Sequence, residues 1–257
     1  MRGSSVRRST DQNRTFPMDI QARAYDTQSP GHTLPDHSAS LDWPLDIAGF
    51  MGTPLAVEPF PHLVMPGFVK PPAAVAAREG FPGFGFGGVV PAPTKQMLGT
   101  LEPGFATLLG ALRSPETTAA FAAKFGVELS PDALMVTLRD RCRPQDGRIH
   151  TDSDSKVVTA LIYLNESWTA PGGRLRLLRK PDDIDAVIAE VPPLDGTLVA
   201  FRRTDNSWHG HKPHDGVRRY IMLNWMVDAA AAKREIARHT MTAAWKRLLT
   251  GGSGPAM

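Results

Sequence analysis

Two short stretches of the chain carry side chains that bind metal ions. One is His150-Thr151-Asp152, and the other contains His209 and His211. If a β-strand carries the first stretch, His150 and Asp152 point to the same side, because side chains alternate along a strand. An imidazole and a carboxylate on one face can hold a single ion, and a histidine from a distant strand would add a third ligand. The spacing therefore predicts a site of two histidines and one carboxylate.

Such a ligand set leaves coordination positions open and is typical of non-haem iron(II) oxygenases, which use those positions for O2 and a co-substrate. A His-x-Asp pattern alone is weak evidence, because most such pairs lie on protein surfaces. The second histidine stays open between His209 and His211, which would share a strand face. Asp154 is a weaker ligand candidate than Asp152, because its spacing favours a solvated loop carboxylate.

A positive charge and a phenol are candidates for binding a carboxylate near this metal. Counting by two from Arg219 to Trp225 gives a strand face that is apolar apart from the arginine. A guanidinium suits a carboxylate because its planar fork donates two parallel hydrogen bonds. Tyr163 is placed to donate to the same carboxylate, although for this residue taken alone a core tyrosine with its hydroxyl at the rim is the favoured interpretation. Arg218, on the opposite face, is predicted to be a surface residue.

The elements that must position these side chains change character along the chain. Residues 71–79 and 104–125 have the apolar spacing of helices, and Ser114-Pro115-Glu116 begins a second helix within the latter range. An apolar run over 60–65 predicts an opening strand. After about residue 132 the pattern becomes that of short strands separated by turn residues. These predicted strands are Leu134–Leu138, Val157–Leu164, Arg174–Leu178, Thr197–Phe201 and Tyr220–Trp225.

Many short strands at this spacing predict a mainly β fold with flanking helices, a β-sandwich or jelly roll. Residues 1–48 are polar and lack a hydrophobic period, which predicts a disordered extension. Residues 49–228 are predicted to form one domain, with helical support over 71–125 and a catalytic core over 132–228. Residues 229–257 complete the chain as a C-terminal helix and tail.

Composition argues against several classes of protein. The net charge is only +3, and the basic residues form no cluster beyond the first stretch, so a nucleic-acid partner is not expected. Cys142 is the single cysteine, which excludes an internal disulfide. The chain contains no apolar run long enough to cross a membrane and begins without an apolar signal segment. A cytoplasmic enzyme without a membrane partner is therefore expected.

From about Leu134 to Met226 the sequence resembles the catalytic core of 2-oxoglutarate/iron(II)-dependent dioxygenases, specifically the prolyl-4-hydroxylase-like branch. The order of several motifs carries this resemblance, and their combination is specific although each alone is not. The matching motifs are His150-Thr151-Asp152, Tyr163-Leu164-Asn165, Gly172-Gly173-Arg174-Leu175, Asp195-Gly196-Thr197-Leu198-Val199-Ala200-Phe201, His209 and Arg219.

The resemblance implies a double-stranded β-helix, a cupin-like jelly roll, with His150, Asp152 and His209 as iron(II) ligands. It favours His209 over His211, because the step from His209 to Arg219 is the ten residues that the family shows. Glycine and proline close to His211 also favour a turn there.

The resemblance further implies that Arg219 and Tyr163 bind the C5 carboxylate of 2-oxoglutarate, with Thr159 supporting that end of the pocket. The implied reaction consumes O2 and 2-oxoglutarate, releases succinate and hydroxylates a C–H bond of a second substrate. Ascorbate is a further candidate cofactor.

The substrate stays open among a prolyl residue of a protein, a free amino acid and a small metabolite. Loops over 80–98, 140–149 and 166–172 are predicted to carry substrate specificity. Two rival functions also stay open. One is a cupin-like metal enzyme that does not use 2-oxoglutarate, and the other is a non-catalytic β-helix binding module, which the intact ligand set disfavours. The sequence leaves the oligomeric state undetermined.

Overall fold

The computed structural model describes residues 43–84 and 86–250. The helices are α1 (Ile47–Gly52), α2 (Pro71–Glu79), α3 (Pro103–Leu112), α4 (Pro115–Phe125) and α5 (Ala229–Thr250). The strands are β1 (His62–Met65), β2 (Val90–Pro91), β3 (Leu134–Cys142), β4 (Lys156–Tyr163), β5 (Leu175–Leu178), β6 (Val187–Val191), β7 (Leu198–Arg202), β8 (His209–Gly210) and β9 (Gly216–Met226).

The strands form two antiparallel sheets. The larger has the order β1-β7-β4-β9-β3-β2, and the smaller has the order β6-β5-β8. Side chains from both sheets share one apolar cluster, so the sheets face each other as in a jelly roll. The predicted fold class is thereby confirmed. The shared cluster contains Phe60, Leu161, Tyr163, Leu175, Leu177, Val191, Val199, Phe201 and Tyr220.

The other face of the large sheet is covered by α1 to α4. Trp225 of β9 packs against Phe121 of α4, with ring centroids 4.6 Å apart, and its indole nitrogen donates to the Thr118 hydroxyl at 3.2 Å. Ile221 and Leu223 of the same strand lie fully buried in this helix-side core. The large sheet is therefore buried on both faces, and the apolar face of β9 is the one that packs on the helices.

Helix α4 follows from local sequence signals. The Ser114 hydroxyl accepts a hydrogen bond from the Thr117 backbone N–H at 3.1 Å, and Pro115 occupies the first turn, where no N–H is needed. Gly126 ends the helix in the left-handed conformation with φ of 60°. The predicted start of this helix is confirmed.

The strand predictions omitted β2 and β6 and were too short for β3 and β9. Strand β6 was not predicted, because its residues are mostly half-buried at a sheet edge and show no clear apolar alternation. Strands β3 and β9 also extend beyond the predicted ranges, pairing as far as Cys142 with Gly216 after a bulge between Arg139 and Arg141. This long-range pairing depends on the partner strand and has no local signal.

The predicted extension over residues 1–48 is wrong at its end. Leu45 is buried and forms a bridge with Val69, and Asp46 caps α1 by accepting from the Gly49 N–H at 2.8 Å. Residues 43–48 are therefore part of the folded core. Residues 1–42 and the predicted tail over 251–257 lie outside the described residues. Within the described part of the chain, no helix is both long and apolar enough to cross a bilayer.

Phe50→Ala is expected to lower the free energy of unfolding by about 3–5 kcal/mol, the usual cost of a buried phenylalanine. Phe50 is fully buried, and its ring lies 4.5 Å from that of Phe121 and 5.6 Å from that of Phe68. Met51→Ala, at an exposed position of the same helix, should stay within about 0.5 kcal/mol. Urea unfolding measures both values, and equal midpoints for the two variants would contradict the packing of α1.

Candidate metal and co-substrate site

The side chains of His150, Asp152 and His209 converge, and their ligand atoms all lie within 4.8 Å of one another. A single antiparallel bridge aligns the two histidines, because each backbone N–H donates to the other residue's carbonyl at 3.0 Å. Asp152 follows in an irregular segment. The expected strand through His150 and Asp152 is thus reduced to one bridged residue, yet the side chains meet as the spacing predicted.

Both imidazoles present the same ring nitrogen to the centre of this trio. The Nδ1 of His150 lies 2.8 Å from the Arg148 carbonyl oxygen, and the Nδ1 of His209 lies 3.0 Å from that of Ser207. A carbonyl only accepts, so Nδ1 carries the proton and Nε2 keeps the lone pair that binds a metal. Burial lowers the pKa of His209 to about 4, which keeps the ring neutral.

Asp152 is held in its ionised form by two neighbours. Its Oδ1 lies 2.6 Å from the Lys156 ammonium, and its Oδ2 accepts from the Thr159 hydroxyl at 2.5 Å. Burial alone would raise the pKa of Asp152, but the charge of Lys156, together with the hydrogen bonds from Lys156 and Thr159, outweighs this effect and lowers the pKa to about 2. The carboxylate is therefore available as a ligand at neutral pH.

Thr159 has a different place from the one predicted. Its hydroxyl contacts Asp152 and lies 3.0 Å from the Asn224 side-chain amide, so it belongs to the metal end of the pocket. The structure does not bring Thr159 together with Tyr163, because Tyr163 lies four residues further along β4 and contacts Arg218 instead.

His211 lines the same cavity without joining the trio. Its Nδ1 donates to the Lys212 carbonyl at 2.9 Å, and burial, helped by the charge of Arg218, lowers its pKa to about 4. The loop before His150 passes so close that a β-carbon on Gly147 would lie 2.4 Å from this ring, and Gly147 also has φ of 85°. The structure therefore brings His209, and not His211, to the other two ligands.

A cavity of about 240 Å³ joins the trio to a buried arginine. Arg218 donates from Nε to the Gly173 carbonyl at 2.6 Å and from Nη2 to the Tyr163 hydroxyl at 3.1 Å. Its guanidinium also stacks over the rings of Tyr163 and Tyr220. Burial raises the pKa of Tyr163 to about 12, so the phenol keeps its proton and can donate it.

Arg218 is 1% exposed, and no carboxylate among the described residues pairs with it. A buried charge without a counter-ion is costly, so the arrangement indicates a site for an anion.

Arg219, the predicted carboxylate ligand, lies outside this cavity. Its Nε pairs with Asp140 at 3.2 Å, its guanidinium covers the Phe81 ring, and its side chain is 31% exposed. The structure thus separates Arg219 from Tyr163. The prediction that Arg218 is a surface residue is wrong, because Arg218 is buried and its side chain contacts Tyr163. The residue opposite Tyr163 in the sheet is Tyr220, so Arg218 shares the cavity face with these tyrosines.

Sequence reasoning missed three other charged residues that line the cavity. Lys156 contacts Asp152, while Arg139 pairs with Asp146 at 3.2 Å. Asp146 also accepts from the Arg143 backbone N–H at 2.9 Å, which anchors the loop that leads to the trio. The sequence signal for these three residues was weak, because each looks like an ordinary surface charge until its contacts in the folded chain are known.

Residues 140–227 match the family model of the 2OG-Fe(II) oxygenase superfamily, about a third of the chain. The match runs from the end of β3 to just beyond β9 and contains the trio, Tyr163 and Arg218. This segment belongs to the 2OG-Fe(II) oxygenase superfamily. The oxygenase is accordingly an oxidoreductase that uses iron(II) and 2-oxoglutarate. Its trio suits iron(II), because it offers two neutral imidazoles and an ionised carboxylate at one point.

Several solved structures are similar to the oxygenase. A prolyl-4-hydroxylase from Pseudomonas putida is 20% identical, covers 64% of this chain and 87% of its own, and has a TM-score of 0.45. A prolyl 4-hydroxylase from Phytophthora capsici is 20% identical, and the match covers 63% of this chain and 57% of that protein with a TM-score of 0.47. SnoN, an α-ketoglutarate-dependent epimerase from nogalamycin biosynthesis, is 15% identical, and the match covers 64% of this chain and 77% of that protein with a TM-score of 0.42. Similarity this low identifies no substrate. No curated protein sequence matches the chain.

His209→Ala is expected to abolish binding of manganese(II), used as an oxygen-insensitive substitute for iron(II), because it removes one of three ligands. His211→Ala should leave the affinity within about tenfold, since a group beside the ligands typically contributes about 10–100-fold at most. Calorimetric titration of both variants tests this. Metal loss in His211→Ala with retention in His209→Ala would reverse the assignment.

Proposed function

We propose that the oxygenase couples the oxidative decarboxylation of 2-oxoglutarate to hydroxylation of a C–H bond in a second substrate. The overall reaction balances as 2-oxoglutarate, O2 and R–H giving succinate, CO2 and R–OH. One observation carries the proposal: the His150–Asp152–His209 trio and the unpaired guanidinium of Arg218 line the same cavity. Iron(II), when bound, supplies the activation of O2.

Arg218 and Tyr163 suit the C5 carboxylate of 2-oxoglutarate. Arginine has five N–H donors in a planar fork, and Arg218 uses three of them, on the Gly173 carbonyl, the Tyr163 hydroxyl and, at 4.0 Å, the Cys142 thiol. The remaining donors and the phenolic proton of Tyr163 are available for two carboxylate oxygens. In a cavity that also has Leu161 and Leu175 in its lining, such charge-assisted hydrogen bonds are strong because little water competes with them.

The remaining contacts keep the trio oriented. The carbonyls of Arg148 and Ser207 select the ring nitrogen that His150 and His209 present, as is usual for metal-binding histidines. Thr159 has one hydroxyl proton, which it donates to Asp152, and this leaves the second carboxylate oxygen to the metal and to Lys156.

The rival functions explain fewer of these contacts. A cupin-like enzyme that does not use 2-oxoglutarate would leave Arg218 buried without a counter-ion, and a non-catalytic module would have no need of a complete trio. A hydroxylase is favoured over other oxygenase reactions by the motif order of the prolyl-4-hydroxylase-like branch. The single cysteine, Cys142, is buried and free, and we propose a reducing compartment, the cytoplasm, as the location of the enzyme.

The purified oxygenase supplied with iron(II), O2 and 2-oxoglutarate is expected to form succinate even when no second substrate is added, because the proposed site for 2-oxoglutarate does not depend on that substrate. Chromatographic quantification of succinate measures this. Asp152→Ala, which lacks the carboxylate ligand, is the matched control and should form none above the level of free iron. Equal succinate from both proteins would contradict the proposal.

Arg218→Met is expected to weaken 2-oxoglutarate binding by about 10–150-fold, because a lost charge-assisted hydrogen bond costs about 1.5–3 kcal/mol. Arg219→Met, at the neighbouring position on the helix side, should change the affinity by less than about threefold. Titration of 2-oxoglutarate into the manganese(II)-loaded proteins compares them directly. If Arg219→Met is the damaging change, the register of β9 given above is wrong.

A further inference from the structure

Lys156 occupies an unusual position for a lysine. It is the first residue of β4, its side chain is only 14% exposed, and it lines the same cavity as the metal trio. Lysines are rarely buried unless they are paired. The only carboxylate that pairs with Lys156 within the described residues is Asp152, whose Oδ1 lies 2.6 Å from the ammonium.

Lys156 begins β4, and Arg218 of the neighbouring strand β9 contacts Tyr163 at the other end of β4. Along this strand the cavity-lining residues come in the order Lys156, Thr159 and Leu161, followed by Tyr163, which holds Arg218. A strand rises about 3.3 Å per residue, so about 23 Å of backbone separates its first and last residues. Thr159 bonds to Asp152 between these ends, which places a cation on either side of the trio.

Counting the charges of the loaded site leaves Lys156 without a counter-ion. The C5 carboxylate of 2-oxoglutarate neutralises Arg218. Its other carboxylate and Asp152 together neutralise iron(II). Arg139 already has Asp146 as a partner at 3.2 Å. Among the described lysines and arginines that line the cavity, Lys156 is then the one whose charge is unmatched.

We infer that the second substrate carries a carboxylate and that Lys156 binds it beside the metal. This inference rests on the proposed 2-oxoglutarate-dependent reaction. One unmatched positive charge suits a monoanion. A free amino acid has such a carboxylate, whereas a prolyl residue inside a protein does not, because its carboxyl group is a neutral peptide carbonyl.

The test compares free L-amino acids with the matching amino acid amides, which differ in this one charge. Each compound is titrated by calorimetry into the oxygenase loaded with manganese(II) and 2-oxoglutarate. At least one free acid should bind, and its amide should bind about tenfold more weakly or worse, the size expected for losing one charge-assisted hydrogen bond. Lys156→Met should reduce this preference to less than about threefold, while Lys156→Arg should retain it.

Three results would overturn the inference: no acid of the panel binds, an amide binds as tightly as its acid, or Lys156→Met keeps the preference. A fourth would reassign Lys156. If Lys156→Met weakens 2-oxoglutarate as much as it weakens the acid, the ammonium belongs to the co-substrate site. Failure of the proposed function itself is seen separately, because the wild-type protein loaded with manganese(II) would then not bind 2-oxoglutarate in the preceding titration.

Discussion

Two backbone hydrogen bonds between His150 and His209 bring the metal site of the oxygenase together. His209 lies on β8, at the edge of the small sheet, and His150 follows the loop that leaves β3 of the large sheet. The bridge therefore joins the two sheets where their strands would otherwise diverge. The contacts of Asp146 with Arg139 and with the Arg143 N–H give the loop a defined path to this bridge. The two histidines lie 59 positions apart in the chain, so no local preference could align them.

The site can exist between two sheets because nearly every charge in it has a partner. Asp152 has Lys156 and Thr159, and Arg139 has Asp146. Each of these contacts offsets part of the cost of removing a charge from water. Arg218 is the exception, since its contacts are a carbonyl, a phenol, two aromatic faces and a distant thiol. The fold thus leaves one deep positive charge for a ligand to neutralise.

Burial of the large sheet on both faces decides which side chains reach this site. On the helix side, Ile221, Leu223 and Trp225 pack against α1 to α4 and form the larger apolar core. On the other side, the same strand turns Arg218 and Tyr220 toward the cavity. The strand therefore has an apolar face that serves stability and a mixed face that serves binding. Arg219 shares the apolar face and reaches solvent only at its rim, where it pairs with Asp140.

The sequence by itself determined the features that depend on neighbouring residues. The capped start of α4 at Ser114, the shared face of Thr159 and Tyr163, and the pairing of His150 with Asp152 all follow from local spacing, and the motif order indicated the jelly roll. Only the tertiary structure decided which face of β9 lines the cavity between the two sheets. An apolar stripe on a strand marks a buried face. Here helices bury one side of the large sheet and the small sheet covers the other, so both faces of β9 are buried. The more apolar face packs on the helices, and the face that carries Arg218 and Tyr220 lines the cavity.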